Sequence, residues 1–301
     1  MARIPAAEVQ VTPELVRSLL ADQHPDLAHL PVAVFANGWD NAMLRLGDHL
    51  LVRAPRRALA ARLVEHEQAY LPLLAPRLPT AVPAPVRVGR PALGYPWSWS
   101  VLPWHAGRAL GAEPLEVRAG LAVDLGAFVA ALHTPAPDHV WDSPYRGGSL
   151  RDRFDLVAER AGRHAPEHAA RLMARFGADV EQPDPPGPRL WVHGDLHPLN
   201  VLVDDGDLAA VIDWGDVTAG DPACDLAIAW LGFDPAAAES LRASYGDAVR
   251  HHLDLDRLWQ RARGWALHLA LVLLDSSDDH PELAAVGRHG LVRLRRDHGH
   301  P

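Results

Sequence analysis

Lysine is absent from this 301-residue chain, so all 29 of its basic residues are arginines. Without a side-chain amine, the chain cannot form a Schiff base and cannot use the lysine of a phosphate-binding loop. Cysteine is almost as scarce, because Cys224 is the only one. A single cysteine excludes an internal disulfide and a zinc ribbon, and it is typical of a reducing compartment. We expect Cys224 to be a small buried hydrophobic residue.

Long apolar runs are also missing. The longest, Trp265 to Leu274, is too short to cross a bilayer and contains His268. The N-terminal stretch MARIPAAEVQVTPELV has no uninterrupted apolar core of the kind that a secretory signal needs. With 48% hydrophobic and 22% charged residues, the composition predicts a globular chain with no membrane span. Its length suits one large domain or two lobes, and we expect it to remain in the cytoplasm.

The charge distribution limits the choice of partner. A net charge of −9 disfavours nonspecific binding to nucleic acid. The negative excess lies in residues 182–301, which hold 10 Arg against 19 Asp plus Glu, whereas residues 1–181 hold 19 of each. This acidic part suits a cationic small-molecule partner, although surface acids that keep a protein soluble give the same count. No pattern in the sequence indicates an oligomeric state.

The first third of the chain predicts a β-rich unit with one helix. The strand-like runs span residues 32–36, 42–46, 49–53, 86–89 and 97–102. Turn signals at Asn37-Gly38 and Gly47-Asp48 separate the first three. Apolar residues at three- and four-residue spacings predict a helix over 59–78, which Pro79 ends.

Helical periodicity dominates the rest. The predicted helices span residues 115–133, 149–175, 222–231, 235–252 and 256–274. A proline-rich segment, 181–188, leads into a strand at 190–192, and two more short strands follow at 201–203 and 208–212. The whole pattern predicts an α+β protein with a small β-rich N-terminal lobe, residues 1–103, and a larger, mainly helical C-terminal lobe, residues 104–301.

Residues 191–216 are the most informative stretch. An apolar strand leads into a polar loop containing Asp195 and Asn200, and a second strand ends at Asp213. Phosphoryl transfer needs a carboxylate that orients the attacking hydroxyl, together with amide and carboxylate oxygens that hold magnesium on the phosphates. We therefore assign Asp195 as base or aiming group, and Asn200 and Asp213 as Mg²⁺ ligands. Asp and Asn are also common turn residues, so each one alone could merely close a loop.

A zinc site is an alternative for the same loop, because His193 and His197 are four residues apart. Gly194 and Pro198 interrupt the helix that such a pair requires. We therefore predict that His193 braces the loop, and that His197 is exposed or close to substrate.

Two motifs carry a family resemblance. VHGDLHPLNVLV, followed by VIDWGDVTAGDPACDLA, resembles the aminoglycoside phosphotransferase family, whose relatives include choline and protein kinases. Weaker matches, such as GWDNAMLRLG and YPWSWSVLPW, extend the likeness over most of the chain. The resemblance implies a protein-kinase-like fold with ATP or GTP between the two lobes. It also implies a catalytic role for Asp195 and metal binding by Asn200 and Asp213.

The same resemblance implies a set of nucleotide contacts. Arg53 takes the position of the third-strand cation, which is a lysine in most kinases, and arginine can still pair with phosphate oxygens. Ser100 to Leu102 takes the position of the hinge whose backbone meets the base. In the first turn, Gly38 lacks a side chain and would let the backbone approach a phosphate, although NGWDN alone reads as a hairpin turn.

An argument from periodicity supports Arg53 independently. Glu67 lies four residues from both Leu63 and Leu71, which places its carboxylate on the inward face of the predicted helix. An unpaired inward charge is costly, so we predict an ion pair between Arg53 and Glu67. The alternative is that Glu67 lies at the edge of this face and reaches solvent.

A second helix start closes the motif region. Asp221 followed by Pro222 is a strong N-terminal capping signal. By resemblance, Asp225 braces the catalytic loop by accepting N–H bonds near His193.

The acceptor is the least determined part. An antibiotic kinase acting on an aminoglycoside or macrolide is favoured, with the acidic C-terminal part suiting the former and its aromatic residues the latter. A metabolic kinase acting on an amino alcohol, sugar or homoserine-like acceptor would use the same machinery. A noncatalytic nucleotide-binding pseudokinase is disfavoured, because Asp195, Asn200 and Asp213 are all present.

Overall fold

The computed structural model describes residues 6–38, 40–143, 146–183, 187–249, 254–276 and 280–296. The strands in these ranges are β1 (Val32–Asn37), β2 (Asn41–Leu46), β3 (Leu50–Pro55), β4 (Arg87–Gly89), β5 (Trp99–Pro103), β6 (Arg108–Ala109), β7 (Leu190–Val192), β8 (Val201–Asp204), β9 (Asp207–Val211) and β10 (Thr218–Gly220). The helices are α1 (Pro13–Gln23), α2 (Ala58–Leu74), α3 (Leu115–Gly120), α4 (Ala122–Leu132), α5 (Phe154–His164), α6 (Ala169–Val180), α7 (Ala223–Leu226), α8 (Ile228–Gly232), α9 (Pro235–Val249), α10 (Leu255–Asp275) and α11 (Pro281–Arg296). No helix among the described residues is long and apolar enough to cross a membrane.

The N-terminal lobe is built on one antiparallel sheet with the strand order β1-β2-β3-β5-β4. Side chains alternate between the faces of a strand, so neighbouring residues of β3 point in opposite directions. Val52 belongs to a small apolar core together with Val101 of β5 and α1. Arg53, one residue further, is paired across the ladder with Met43 and Ser100. Arg53 therefore projects from the opposite face, where α2 lies.

The N-terminal lobe contains a helix that the sequence analysis did not predict. α1 begins with Pro13, and Thr12 caps it by accepting a hydrogen bond from the Leu15 main-chain nitrogen at 3.2 Å. Its buried residues, Val16, Leu19 and Leu20, follow helical spacing. The expectation of one helix in this lobe was therefore wrong, although Thr12-Pro13 is a recognisable start signal.

The helix predicted over 59–78 is α2, and it ends earlier than expected. α2 stops at Leu74, and Ala75–Arg77 continues as a 3₁₀ turn. Pro72 lies inside α2 rather than ending it. Glu67 faces the sheet and is 1% exposed, so the alternative in which it reaches solvent is wrong.

Several long helices predicted for the C-terminal lobe are broken in the structure. The segment 115–133 forms α3 and α4, separated at Leu121. The segment 149–175 contains α5 and the start of α6, separated by a 3₁₀ turn that begins at Pro166, where proline cannot donate a helical hydrogen bond. The segment 222–231 forms α7 and α8. For the helix predicted over 235–252, α9 covers residues up to Val249, and 250–252 lie outside the described residues.

The C-terminal lobe is organised around α10, whose inward residues belong to the large apolar core. α10 extends the predicted helix by one residue at each end, and it packs against α5, α6, α7 and α11. α11 is a second helix that the sequence analysis did not predict, and its glycines permit the close packing. A Cβ on Gly287 would lie 2.7 Å from the Ala270 carbonyl oxygen of α10.

Two small sheets present the polar loop of the C-terminal lobe. β7 pairs with β10, and β8 lies between β6 and β9. The loop of residues 193–200 joins β7 to β8, and Asp213 lies two residues after the end of β9. The strand pairings therefore bring together residues that are well separated in the sequence.

Candidate active site

The loop between β7 and β8 is held by the buried imidazole of His193. Its Nδ1 accepts a hydrogen bond from the Asp195 main-chain nitrogen at 3.2 Å, and its Nε2 lies 3.0 Å from the Ile212 carbonyl oxygen. An imidazole that accepts at Nδ1 and donates at Nε2 is the neutral Nε2–H tautomer. His193 thus joins the loop to the end of β9, in the bracing position predicted for it.

Asp225 holds the same loop from the start of the helical segment. Its Oδ2 accepts from the His193 main-chain nitrogen at 2.7 Å, and its Oδ1 accepts from the Gly194 nitrogen at 2.9 Å. His133 Nε2 lies 3.2 Å from Oδ2. Burial acts to raise the pKa of Asp225, but the contact with His133 and the main-chain N–H donors outweigh it, and the pKa is lower than its ordinary value. The N–H contacts predicted for Asp225 are therefore present.

Asp221 has a larger structural role than the predicted cap. Its Oδ1 accepts from the Ala223 main-chain nitrogen at 3.1 Å, at the start of α7. Arg261 of α10 also donates to both of its carboxylate oxygens, at 2.7 and 3.2 Å. Such a bidentate pair fixes α7 against the central helix of the lobe.

Asp195 faces an arginine that the sequence analysis did not single out. Arg146 Nη2 lies 2.9 Å from Asp195 Oδ1, and Arg146 Nε lies 3.2 Å from Asp216 Oδ2. The three side chains are 18%, 24% and 24% exposed, so the cluster is mostly shielded from water. Asp195 Oδ2 lies 3.7 Å from His197 Nε2, beyond hydrogen-bond distance. Oδ1 is therefore paired with Arg146, whereas Oδ2 has no hydrogen bond from His197.

Gly194 is required at the turn that presents Asp195. Its φ is +85°, a region that side chains disfavour. A Cβ there would lie 2.6 Å from the Asp216 carbonyl oxygen and 3.1 Å from Arg146 Cβ. The loop thus packs directly on the segment that carries Asp216 and on the Arg146 side chain.

Asn200 links the main chain of Asp195 to the residue before Asp213. Its Nδ2 donates to the Asp195 carbonyl oxygen at 2.9 Å, and its own carbonyl oxygen accepts from the Ile212 nitrogen at 2.9 Å. Because Nδ2 is directed at Asp195, the side-chain Oδ1 is left as an acceptor, and Asp213 directly follows Ile212, the main-chain partner of Asn200. An amide oxygen and a carboxylate are the hard oxygen ligands that magnesium prefers, so this pair fits a Mg²⁺ ion completed by phosphate oxygens and water.

Asp213 carries the second carboxylate on a constrained backbone. Its φ is +62°, a left-handed conformation that aspartate tolerates better than most residues. Its side chain is about half exposed, and Oδ1 lies 3.0 Å from Arg53 Nη2. Partial desolvation of this half-exposed carboxyl acts to raise its pKa, but Arg53 outweighs that effect and lowers the pKa below its ordinary value. Asp213 is therefore an anion at neutral pH, as a metal ligand must be.

The predicted ion pair between Arg53 and Glu67 is confirmed. Arg53 Nη1 lies 3.1 Å from Glu67 Oε1, and the two side chains are 7% and 1% exposed. No described residue gives either oxygen of Glu67 a well-aligned hydrogen bond. Burial therefore raises the pKa of Glu67 to about 7 despite the opposing effect of Arg53. One guanidinium thus connects α2, β3 and Asp213.

Gly38, a candidate nucleotide contact in the N-terminal lobe, is held by main-chain and side-chain hydrogen bonds. Gly38 lies in the turn after β1, where its nitrogen donates to the Asn41 carbonyl oxygen at 2.9 Å and its own carbonyl oxygen accepts from Arg56 at 2.9 Å. Arg56 therefore supports this turn. Trp39 lies outside the described residues.

The hinge candidates Ser100 and Leu102 lie in β5, paired with β3. Ser100 Oγ accepts from Gln68 of α2 at 3.0 Å. The Trp104 nitrogen donates to the His49 carbonyl oxygen, and the alternation of an antiparallel ladder then directs the main-chain groups of Leu102 and Ser100 toward β3. Contact of these two residues with a base stays a prediction.

His197 corrects one expectation. It is 8% exposed, so the expectation of an exposed side chain is wrong, although it does lie beside Asp195. Its Nδ1 accepts from the Leu199 main-chain nitrogen at 3.2 Å, and burial lowers its pKa. Both ring nitrogens of His193 are already engaged within the protein. Within the described part of the chain no three His, Cys, Asp or Glu side chains are arranged to hold a metal, so the zinc alternative has no support.

Sequence reasoning missed Arg146 and Asp216. Asp216 stands in the quoted WGD run, and its position three residues after Asp213 is the only local signal it offers. Arg146 lies in a stretch without periodicity, 49 residues before its partner Asp195. Only the fold brings these residues together.

Residues 31–265 match the model of the phosphotransferase enzyme family. No curated protein sequence matches the chain.

Solved structures of similar fold include two complexes of aminoglycoside-binding enzymes. The GDP and kanamycin complex of APH(2")-IIIa is 19% identical, with a TM-score of 0.64, and the match covers 93% of this chain and 97% of that one. The streptomycin-ATP-APH(2")-IIa ternary complex is 16% identical, with a TM-score of 0.56, and the match covers 96% and 97%.

A macrolide enzyme has the same fold. The macrolide 2'-phosphotransferase MphH from Brachybacterium faecium is 21% identical to this chain, with a TM-score of 0.62. The match covers 96% of this chain and 99% of that one. The fold observed here is therefore the two-lobed, kinase-like fold of these enzymes.

Proposed function

The chain belongs to the phosphotransferase enzyme family, and we propose that it transfers the γ-phosphate of ATP or GTP to a hydroxyl of a small molecule. The observation that carries this proposal is the convergence of Asp195, Asn200 and Asp213. Asn200 contacts the loop of Asp195 through its side chain and the strand before Asp213 through its main chain. Arg53 approaches Asp213 from the other lobe.

The proposed roles follow from the chemistry of phosphoryl transfer. Asp195 accepts the proton of the acceptor hydroxyl while the oxygen of that hydroxyl forms a bond to the γ-phosphorus. The bond between that phosphorus and the bridging oxygen breaks, and the nucleoside diphosphate leaves. Asn200 and Asp213 would hold Mg²⁺, which would supply positive charge to offset that of the phosphates. Arg53 supplies a permanent cation facing the phosphates.

In this proposal, residues of both lobes position the nucleotide. Glu67 and Asp213 fix the Arg53 guanidinium between α2 and the C-terminal lobe. Gly38 covers the phosphates from the first turn, and β5, which holds Ser100 and Leu102, contacts the base. Similar enzymes have been solved with GDP and with ATP, so both donors belong in the test.

We propose an antibiotic of the aminoglycoside or macrolide type as acceptor. Kanamycin and streptomycin are bound in two of the similar structures, and a third is a macrolide 2'-phosphotransferase. Their identity to this chain is 16–21%, so they indicate the class to test and not the compound. A metabolic acceptor such as an amino alcohol, sugar or homoserine-like compound is the alternative.

The test is turnover with a panel of acceptors and both donors. The panel combines kanamycin, streptomycin, a macrolide, choline and homoserine, each with ATP and GTP in the presence of Mg²⁺. Nucleoside diphosphate release is measured together with the gain of one phosphoryl group by mass spectrometry. We expect an antibiotic product, whereas activity confined to choline or homoserine would contradict that acceptor class. No product, together with stabilisation by nucleotide that does not depend on Mg²⁺, would leave the nucleotide-binding pseudokinase.

A further inference from the structure

The buried arginine beside Asp195 has no role in the proposal above. We infer that Arg146 is a positioning residue for the transfer step, one that holds the carboxylate of Asp195 through one oxygen and leaves the other for the acceptor hydroxyl. This inference rests on the proposed function of Asp195. The juxtaposition that carries it is one guanidinium held between Asp195 and Asp216, at 2.9 and 3.2 Å.

The backbone around Arg146 is anchored independently of these ion pairs. Ser143 Oγ accepts from the Arg146 nitrogen at 3.1 Å, and the Ser143 nitrogen donates to Thr218 Oγ1 of β10 at 3.2 Å. On the other side, the Gly147 carbonyl oxygen accepts from the Asp221 nitrogen at 2.9 Å. Arg146 therefore starts from a fixed main-chain position and does not depend on Asp195 to find its place.

The close packing of Gly147 on β10 fixes this position further. Gly147 has a φ of +64°, and a Cβ on it would lie 3.1 Å from the Gly220 Cα. A Cβ on Gly220 would lie 2.6 Å from the Gly147 carbonyl oxygen. Two glycines in contact let the segment carrying Arg146 lie directly on the strand that precedes Asp221. The guanidinium is thus delivered by the same framework that supports the catalytic loop.

The charges around the loop require a cation at this point. Asp195, Asp213 and Asp216 stand together, and a bound triphosphate adds further negative charge. Arg53 pairs with Asp213 but not with the other two. Burial acts to lower the pKa of Arg146, but Asp195 and Asp216 outweigh it and raise that pKa above its ordinary value. Arg146 therefore remains charged throughout and acts as a fixed donor, not as a proton source.

Each contact of Arg146 has a separate consequence. The Nη2 contact restricts rotation of the Asp195 carboxylate, which orients Oδ2 toward an acceptor. The Nε contact neutralises Asp216, whose main-chain oxygen limits the space at Gly194. A neutral side chain of similar size would leave both carboxylates without this partner. The Asp195 carboxylate would then lose its fixed orientation, and we expect turnover to fall by about 100-fold.

The test compares Arg146→Gln with a matched control, Arg160→Gln. Arg160 of α5 has the same 18% exposure and pairs at 2.5 Å with Asp275 of α10. Both residues lie outside the proposed catalytic site. Both variants are assayed with the best acceptor of the panel, alongside nucleotide binding and thermal unfolding. We expect Arg146→Gln to lose about 100-fold in kcat with unchanged nucleotide affinity, and Arg160→Gln to keep its kcat.

Rescue experiments separate positioning from a structural effect. Arg146→Lys should recover part of the lost kcat, and free guanidinium at millimolar concentration should raise the kcat of Arg146→Ala. Wild-type turnover in Arg146→Gln, or a loss that neither lysine nor guanidinium restores, would overturn the inference. Failure of the proposed function is distinguishable, because then Asp195→Ala would also retain the wild-type rate or no acceptor would be phosphorylated at all.

Discussion

Arg53 and Arg146 each bridge two carboxylates of the candidate site, but they connect different parts of the molecule. The Arg53 cluster comprises Glu67 and Asp213 and connects the two lobes, with Glu67 almost completely buried. The Arg146 cluster comprises Asp195 and Asp216, lies within the C-terminal lobe, and keeps about a quarter of each carboxylate exposed. The difference suggests a division of labour in which the first cluster serves the nucleotide and the second serves the acceptor.

The largest expected effect tests the acceptor side of this division. Asp195→Ala removes the group proposed to accept the hydroxyl proton, so we expect kcat to fall by about 10² to 10⁴ while nucleotide still binds. Steady-state turnover and isothermal titration of nucleotide measure the two quantities. Asp204→Ala, at the exposed end of β8, is the control and should be unaffected. Near-normal turnover of Asp195→Ala would remove its assigned role.

The nucleotide side should respond differently. Asp213→Ala removes a proposed Mg²⁺ ligand and a partner of Arg53, so we expect a loss of turnover together with weaker binding of Mg²⁺-nucleotide. Titrations with and without Mg²⁺ measure this, with Asp207→Ala as the control from the same hairpin. If Asp213→Ala bound Mg²⁺-nucleotide as tightly as the wild type, the two clusters would not divide the work as proposed.

A third variant probes the lobe connection through stability. Arg53→Ala leaves Glu67 buried without its cation, and breaking a buried pair in this way costs about 3 to 5 kcal/mol in the free energy of unfolding. Arg57→Ala also breaks an arginine–aspartate pair, with Asp40, but that pair is more exposed and should cost about 1 kcal/mol or less. Urea denaturation of both variants gives the comparison. Equal costs would show that burial does not set the two pairs apart.

The smallest expected effect concerns pH. Burial raises the pKa of Glu67 from 4.5 to about 7, so the folded chain holds this proton to higher pH than the unfolded chain does. The contribution of Glu67 to stability is therefore complete below pH 4.5 and decreases as the pH rises to about 7. Across this range the wild type should lose up to about 3 kcal/mol relative to Glu67→Gln. Urea denaturation at pH 4.5 and at pH 7 measures this difference. If the pKa of Glu67 were not raised, the stabilities of the wild type and Glu67→Gln would change equally with pH.

The sequence was sufficient to predict those parts of the structure that follow helical periodicity or form a recognisable motif. The inward position of Glu67 followed from helical spacing, and its need for a cation then pointed to Arg53 on the adjacent strand. The loop of residues 193–200 was recognisable because its polar residues stand between two apolar strands. In both cases a local pattern carries the information.

The remainder depends on contacts that have no local pattern. Arg146 lies in an irregular segment and meets Asp195 and Asp216 only after β7 and β10 have paired. The break between α3 and α4 at Leu121 does not interrupt the apolar periodicity, and its one local signal is Gly120, the last residue of α3. α1 and α11 were missed for a different reason, because their amphipathic spacing was present but was not weighed.

The Arg53 cluster determines how the protein responds to amine-reactive labels. The cation that bridges the two lobes is a guanidinium, and the chain has no side-chain amine anywhere. Reagents that acylate amines, including nucleotide analogues built to modify a lysine next to the phosphates, would find no side chain to react with at this site. A profiling experiment based on such reagents would pass over this protein even with its nucleotide site fully occupied.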